Sequence, residues 1–274
     1  SYSRPVVSSD GIFIGVIGFE VSEKTIKSFS NKINNIYDKH LTNMNVYLSI
    51  IPDKNYYSKS DKLKMDYDKL FSQVQNGINK NINYIDITKS LSLKDYYKTD
   101  IHWKQENLTK VVNTLSQSMN FEVMEDYKEN YCEPFYGSYY GQLGLNVEPD
   151  KLTYLTNEII ENAKVKDYDS KTETVYEIES LGKMDSYDVF LSGATPIIEI
   201  TNESSTTEKE LIIFRDSFGS SLSPLLIEYY DKITIADNRY ISSDYIKEYI
   251  KFADQDILFM YSTLIVNNSV TLKG

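Results

Sequence analysis

Leu211-Ile212-Ile213-Phe214-Arg215-Asp216-Ser217-Phe218-Gly219 is the stretch on which the reading of this chain turns. Four apolar residues in a row suit a central strand of a parallel sheet, buried on both faces. They run into an acid, a hydroxyl and a glycine, the makings of a tight turn, and residues 222–230 beyond them carry a helical pattern. Open parallel sheets hold their working residues in loops at the carboxyl ends of strands. A serine on a strand-to-helix turn has its hydroxyl exposed beside the free N–H groups and positive field of the helix N-terminus. Those amides suit a developing oxyanion. Asp216 and Ser217 are also ordinary helix caps, and the turn alone does not separate the two uses.

Working outward, the same alternation recurs. Strands are expected at residues 11–18, 46–51, 82–87, 233–236 and 257–261, and helices at 22–40, 61–76, 103–119 and 243–252. Ile26, Phe29, Ile33 and Ile36 recur at three- and four-residue spacing, with Ser22 as N-cap. Strand alternating with helix is the sign of an α/β fold with a parallel sheet flanked by helices. Residues 120–185 break the rhythm, with weak periodicity and crowded Tyr, Asn, Asp and Glu. They are expected to form an irregular insertion within one domain spanning 1–274, with a helix at 152–163 and a β excursion at 172–178. A strand pair is expected at 189–191 and 197–200, before a polar turn at 202–209.

Composition narrows the functions. The 274 residues, 41% of them apolar, can fill a sizeable core. A net charge of −11 argues against a nucleic-acid-binding surface, which rewards clustered Lys and Arg. No run of about 18 apolar residues suggests a membrane span. One cysteine, Cys132, excludes an internal disulfide and a cysteine-rich zinc site, and two histidines exclude a His-rich metal centre. No metal or cofactor is expected. The 24 tyrosines reflect either a codon bias or a surface suited to stacking against sugars. Tyr139, Tyr140 and Tyr240 are candidates for a glycan groove, with solvent-facing packing as the alternative.

Of the two histidines, His40 falls near the end of its expected helix, a favourable and unremarkable place. His102 stands two residues after Asp100 in the loop Tyr97-Lys98-Thr99-Asp100-Ile101-His102-Trp103. In a loop, a carboxylate can turn to accept from the next-but-one imidazole, fixing its tautomer and freeing the other nitrogen to take a hydroxyl proton. The plain alternative is that Thr99 or Asp100 caps a helix holding His102 in its first turn. A protonated imidazole is unfavourable there.

These residues resemble a family. Asp100-Ile101-His102-Trp103 resembles the Asp-His-His-Trp (DHHW) motif of the alginate O-acetyltransferase-like proteins, a circularly permuted branch of the SGNH hydrolases. Ile51-Pro52-Asp53-Lys54 resembles the strand-end Pro-x-Lys of that family, and Phe135-Tyr136-Gly137-Ser138 and Phe190-Leu191-Ser192-Gly193 its central blocks. Phe214-Arg215-Asp216-Ser217-Phe218 is similar to its nucleophile block and Asp237-Asn238-Arg239-Tyr240 to its Asp-x-Arg-Tyr block. The pieces follow the family's order across residues 46–261.

The resemblance implies a triad: Ser217 as nucleophile, His102 as general base and Asp100 as its orienting partner. It implies a carbohydrate O-acetyltransferase or acetylesterase acting on an exported polysaccharide through an acetyl-enzyme, with a membrane acyltransferase as the partner that hands over the acetyl donor. An extracellular or cell-surface protein follows, anchored through an N-terminal segment ahead of these residues; the chain opens at Ser1, with no initiator Met. The sequence leaves the oligomeric state undetermined. Two positions depart from the pattern. Ile101 replaces the second motif residue, often His, and Ala194 follows Gly193 where relatives commonly carry Asn. An alanine side chain donates nothing, so oxyanion or substrate binding falls to backbone N–H groups at Ser217 and Gly193, or to Arg239 and Tyr240. Arg239 has an alternative use in a salt bridge to Asp237. Ala194 also favours the rival reading, a catalytically silent polysaccharide-binding or scaffolding member of an export complex. A lipase-like esterase is less attractive, because no apolar lid helix is evident.

Overall fold

The computed structural model describes residues 6–7, 13–14, 20–59, 64–123, 126–143, 147–169, 171–183 and 185–273. The strands, in chain order, are β1 (Val6–Val7), β2 (Phe13–Ile14), β3 (Val46–Ile51), β4 (Ile82–Tyr84), β5 (Lys128–Phe135), β6 (Asp150–Thr156), β7 (Lys164–Asp167), β8 (Ile197–Thr201), β9 (Glu210–Arg215), β10 (Lys232–Ala236) and β11 (Asp256–Ser262). The α-helices are α1 (Glu23–Ile36), α2 (Tyr67–Gly77), α3 (Thr109–Met119), α4 (Ser138–Leu143), α5 (Glu158–Asn162), α6 (Phe218–Leu222) and α7 (Thr263–Val266).

Among the described residues, seven strands form one sheet in the order β4-β3-β11-β9-β10-β8-β7. The five from β4 to β10 run parallel, whereas β8 and β7 close the edge antiparallel. β9 lies centrally, between β11 and β10, and its alternating side chains divide the core. Leu211 and Ile213 enter one apolar cluster with Leu258 and Met260 of β11; Ile212 and Phe214 enter the other with Ile257 and Phe259. The first cluster is covered by Val111, Val112, Leu115 and Met119 of α3, the second by Ile26, Phe29, Ile33 and Ile36 of α1 and by Leu70 and Val74 of α2. This is the α/β architecture that the alternation of elements predicts, and it directs the loops after β3, β9 and β11 to one end of the sheet.

Several elements differ from the sequence reading, for physical reasons. The helix expected at 152–163 is mostly β6, paired antiparallel with β5; only α5 at its end is helical, capped by Asn157, whose side chain accepts the Ile160 N–H at 2.9 Å. Leu152 and Leu155, three apart, imitate helical spacing, but both are buried under the tertiary structure from a strand. β5 is largely exposed and polar, and so carries no apolar alternation to betray it. Residues 172–178 form no strand; Tyr176 alone bridges Phe190. Residues 189–191 are no strand either, because Ser186–Val189 is a 3-10 helix and Leu191, Ser192 and Gly193 take φ of 55°, 52° and 70°. The span 243–252 contains only a 3-10 turn, Ile246–Glu248, and Ser223–Tyr229, with Pro224 in its first turn, is a 3-10 rather than an α-helix. Of the strand expected at 11–18, Phe13–Ile14 is extended, and the rest lies outside the described residues, as do 61–63 of the helix expected at 61–76.

Candidate active site

Ser217 sits where β9 gives way to α6. The Asp216 carboxylate builds the turn: Oδ1 accepts the Phe218 N–H at 3.0 Å and Oδ2 accepts the Ser262 N–H of β11 at 2.8 Å. Gly219 is required by close approach, since a Cβ there would lie 2.5 Å from the Arg215 Cβ. Ser217 is the N-cap residue by position, yet its side chain makes no capping bond. Its hydroxyl is directed elsewhere, and among the described residues its backbone N–H meets no acceptor. Among the described residues, that leaves the Ser217 amide without an acceptor.

His102 lies in a loop, not in a helix; α3 begins only at Thr109. Tyr96 bridges Trp103, and the Tyr97 N–H donates to the His102 carbonyl at 3.1 Å, so the loop closes on itself. At its tip the Asp100 Oδ1 accepts both the His102 backbone N–H (3.0 Å) and the imidazole at Nδ1 (2.5 Å). Oδ2 accepts the Ser138 N–H at 2.7 Å. On the far side of the ring, Nε2 stands 2.8 Å from the Ser217 hydroxyl. An ionised carboxylate only accepts, so the proton belongs on Nδ1 and the Nε2 lone pair faces the serine. Burial alone would push the Asp100 carboxyl up, but the adjacent imidazole and the N–H donors outweigh it and hold the group well below the usual carboxylate range.

Residues from distant segments shape this loop. A Cβ on Gly137 would stand 2.2 Å from the Asp100 Cβ, so only glycine lets the Ser138 amide reach the acid. Asp150, at the start of β6, accepts the N–H groups of Lys98 (2.9 Å) and Thr99 (2.6 Å). Trp103 Nε1 donates to the Phe218 carbonyl (3.1 Å) and to Ser221 Oγ (2.9 Å), docking the loop on α6. The Tyr187 ring stacks on the imidazole, centroids 3.8 Å apart and planes 6° apart, while its hydroxyl donates to Ser221 Oγ at 2.8 Å. Sequence reasoning missed Tyr187: one tyrosine among 24, 85 positions from His102, carries no signal. Two acids flank it, the exposed Asp185 and the half-buried Asp188, and desolvation pushes both carboxyls up; Asp100 pushes Asp185 further and the imidazole opposes.

The remaining candidates are placed differently. Arg239 grips Asp237 with two nitrogens, Nε to Oδ1 at 2.9 Å and Nη2 to Oδ2 at 2.6 Å, the salt bridge weighed as its alternative use. The buried Arg215 shares the same carboxylate at 3.3 Å. Tyr240 is 45% exposed, its ring 5.4 Å from the Arg239 guanidinium. The Gly193 N–H donates to the Phe190 carbonyl at 3.2 Å and its carbonyl accepts from Arg215 at 3.2 Å, so that amide is already engaged. Left-handed backbone at Gly193 packs against Asp188, where any Cβ would lie 1.9 Å from Oδ1. Tyr139 is buried, while the Tyr140 ring meets that of the exposed Tyr136 at a 45° tilt, centroids 4.4 Å apart. His40 stacks on Phe252 beside Lys39 and Asp244, and burial pulls its imidazole down. Among the described residues, no group of three or more His, Cys, Asp or Glu is placed to hold a metal ion, and no helix is long and apolar enough to cross a membrane.

No protein-family model matches the sequence, and no curated protein matches it. Solved structures do. A DHHW family protein from Eubacterium siraeum superposes with a TM-score of 0.79 at 19% identity, over 97% of this chain and 95% of that one. Bacillus cereus PatB1, solved with a sulfonyl adduct, gives a TM-score of 0.78 at 17% identity, over 99% of both chains. The O-acetyltransferase domain of Pseudomonas putida AlgJ gives 0.56 at 12% identity, over 96% and 93%. The chain therefore shares its α/β fold with a DHHW family protein, with PatB1 and with the O-acetyltransferase domain of AlgJ.

Proposed function

We propose that this protein is a serine acyltransferase or esterase that moves acetyl groups to or from a carbohydrate, with Ser217, His102 and Asp100 as its triad. The observation that carries the reading is the continuous relay from Asp100 Oδ1 through the imidazole to Ser217 Oγ, 2.5 Å and 2.8 Å at its two junctions. Ser217 Oγ attacks the acetyl carbonyl of a donor ester as its proton passes to His102 Nε2. Asp100, held ionised, stabilises the imidazolium. The Ser217 N–H, without an acceptor among the described residues, donates to the oxyanion in this reading. Collapse returns the proton to the departing oxygen and leaves an acetyl-enzyme. A sugar hydroxyl, deprotonated by the same imidazole, then accepts the acetyl group; if water takes its place, the outcome is ester hydrolysis.

The substrate is read as an exported polysaccharide, and the site of action as extracellular or at the cell surface, in keeping with the fold shared with the O-acetyltransferase domain of AlgJ. A membrane acyltransferase that delivers the acetyl donor is the partner this reading calls for. One observation favours a silent binding or scaffolding role instead: Ala194 has no donor side chain, and the neighbouring Gly193 amide is spoken for. An activated acetyl ester separates the two. The enzyme reading expects acetate release and a protein mass increased by one acetyl group, both abolished in Ser217→Ala by about 10⁴-fold or more with the fold retained. Oligosaccharide binding with no acetylation and no reaction with a serine-directed phosphonate would select the silent role.

A further inference from the structure

Lys54 is 2% exposed, and its ammonium is committed to the loop that carries Asp100 and His102. It follows β3, where the Asp53 carboxylate is itself tied down by the Tyr67 hydroxyl (2.8 Å) and the Thr263 hydroxyl (2.7 Å). From that anchored base, Nζ donates to the carbonyls of Tyr97 (2.9 Å), Lys98 (3.3 Å) and Asp100 (2.8 Å). Three N–H donors meet three backbone acceptors, with the Tyr139 ring 4.7 Å away closing the other side. Among the described residues, no carboxylate touches the ammonium. Burying a cation against neutral dipoles alone is costly, and a fold that needed only bulk here would be served by an apolar side chain. What the charge adds is simultaneous hold on three carbonyls of an irregular segment that has no helix or strand of its own.

We propose that Lys54 is a positioning residue whose protonated amine holds the Asp100–His102 loop in register with Ser217, and that loss of this proton slackens the loop and sets an upper pH limit on activity. The inference rests on the triad reading above. The groups facing Lys54 are Asp100, Asp150 and Asp53, which favour its charge, and Lys104, which opposes it; burial outweighs them and pulls the amine from the usual 10.5 down to about 7. A neutral amine keeps two N–H donors and turns a lone pair towards a carbonyl. The thermodynamic sign is opposite to the kinetic one. Between the folded value and the unfolded one, the unfolded chain binds the extra proton, so Lys54 makes stability rise with pH while the relay loses its alignment.

The test follows phosphonate labelling of Ser217 and thermal unfolding together, from about pH 6 to 9, in the wild type and in Lys54→Met, with Ser217→Ala as blank. In the wild type, the labelling rate should fall about 10-fold or more on the alkaline side while Tm holds or rises. Lys54→Met should label about 10-fold or more slowly at neutral pH and show no alkaline fall. A wild-type rate that stays level to the top of the range, or a Lys54→Met variant as fast as the wild type, overturns the proposal. If Lys54→Met does not fold, the two wild-type curves decide: rate and Tm falling together would assign the loss to unfolding and overturn it. Absence of labelling at every pH would instead remove the triad reading, and this inference with it.

Discussion

Between Arg215 and Gly219 the backbone makes its own turn: Asp216 closes on an amide two residues ahead, glycine admits the packing, and one bond to Ser262 ties the turn to the next strand. Between Tyr96 and Trp103 almost nothing is self-sufficient. That loop has one isolated bridge and the Asp100–His102 contact of its own; the rest of its shape comes from Lys54, Gly137, Ser138, Asp150, Tyr187 and the nucleophile helix. Ser217 is thus set by local chemistry and His102 by distant packing. Changes far away in sequence should accordingly displace His102 while leaving the Ser217 turn as it is.

The largest expected effect breaks the relay at its acid. Asp100→Asn preserves shape but can present an amide N–H to Nδ1 and so favour the wrong tautomer, and phosphonate labelling of Ser217 should slow about 10⁴-fold. A rate near wild type would mean that the imidazole is oriented by its surroundings without the carboxylate. Next comes Gly137→Ala, which touches neither reacting group. Its methyl collides with Asp100, so labelling should fall about 10²-fold, with a loss of about 1–3 kcal/mol in denaturant unfolding. Unchanged kinetics would show that the loop tolerates displacement and would undo the contrast between the two regions. The smallest effect is expected at Tyr187. Tyr187→Leu removes the ring stacked on the developing imidazolium and should slow labelling about 3- to 30-fold. Tyr187→Phe keeps the ring and loses only the Ser221 bond, so it should cost about 1 kcal/mol of stability with near-normal labelling. If Phe and Leu behave alike in rate, the hydroxyl rather than the stack positions the base.

The same division explains what was legible beforehand. The run from Leu211 to Phe214 announces a doubly buried strand, and β3, β10 and β11 follow the same rule because both faces of a central strand must be apolar. α1 and α3 are legible from their buried stripes. The hairpin β5–β6 is not. β5 is exposed and β6 reads as a helix by spacing, and strand identity there depends on a partner some twenty residues away in sequence, which no local pattern encodes. At the site, Ser217, His102 and Asp100 stand out because a turn, a rare residue and a two-residue spacing are local features. Tyr187 and the clamp formed by Lys54 do not, because a stack or a buried ammonium is defined by what surrounds it.

The sequence by itself determined the alternation that builds the sheet, the strand that leads into Ser217, and the acid–imidazole pair two residues apart. It did so because backbone periodicity and short-range hydrogen bonding act within a few residues. Only the tertiary structure decided that the imidazole meets the serine across 115 positions of chain at 2.8 Å, that Arg239 spends its charge on Asp237, and that Lys54 holds the loop between them. Each of those outcomes depends on which surfaces pack together and exclude water, and that is a property of the folded molecule as a whole.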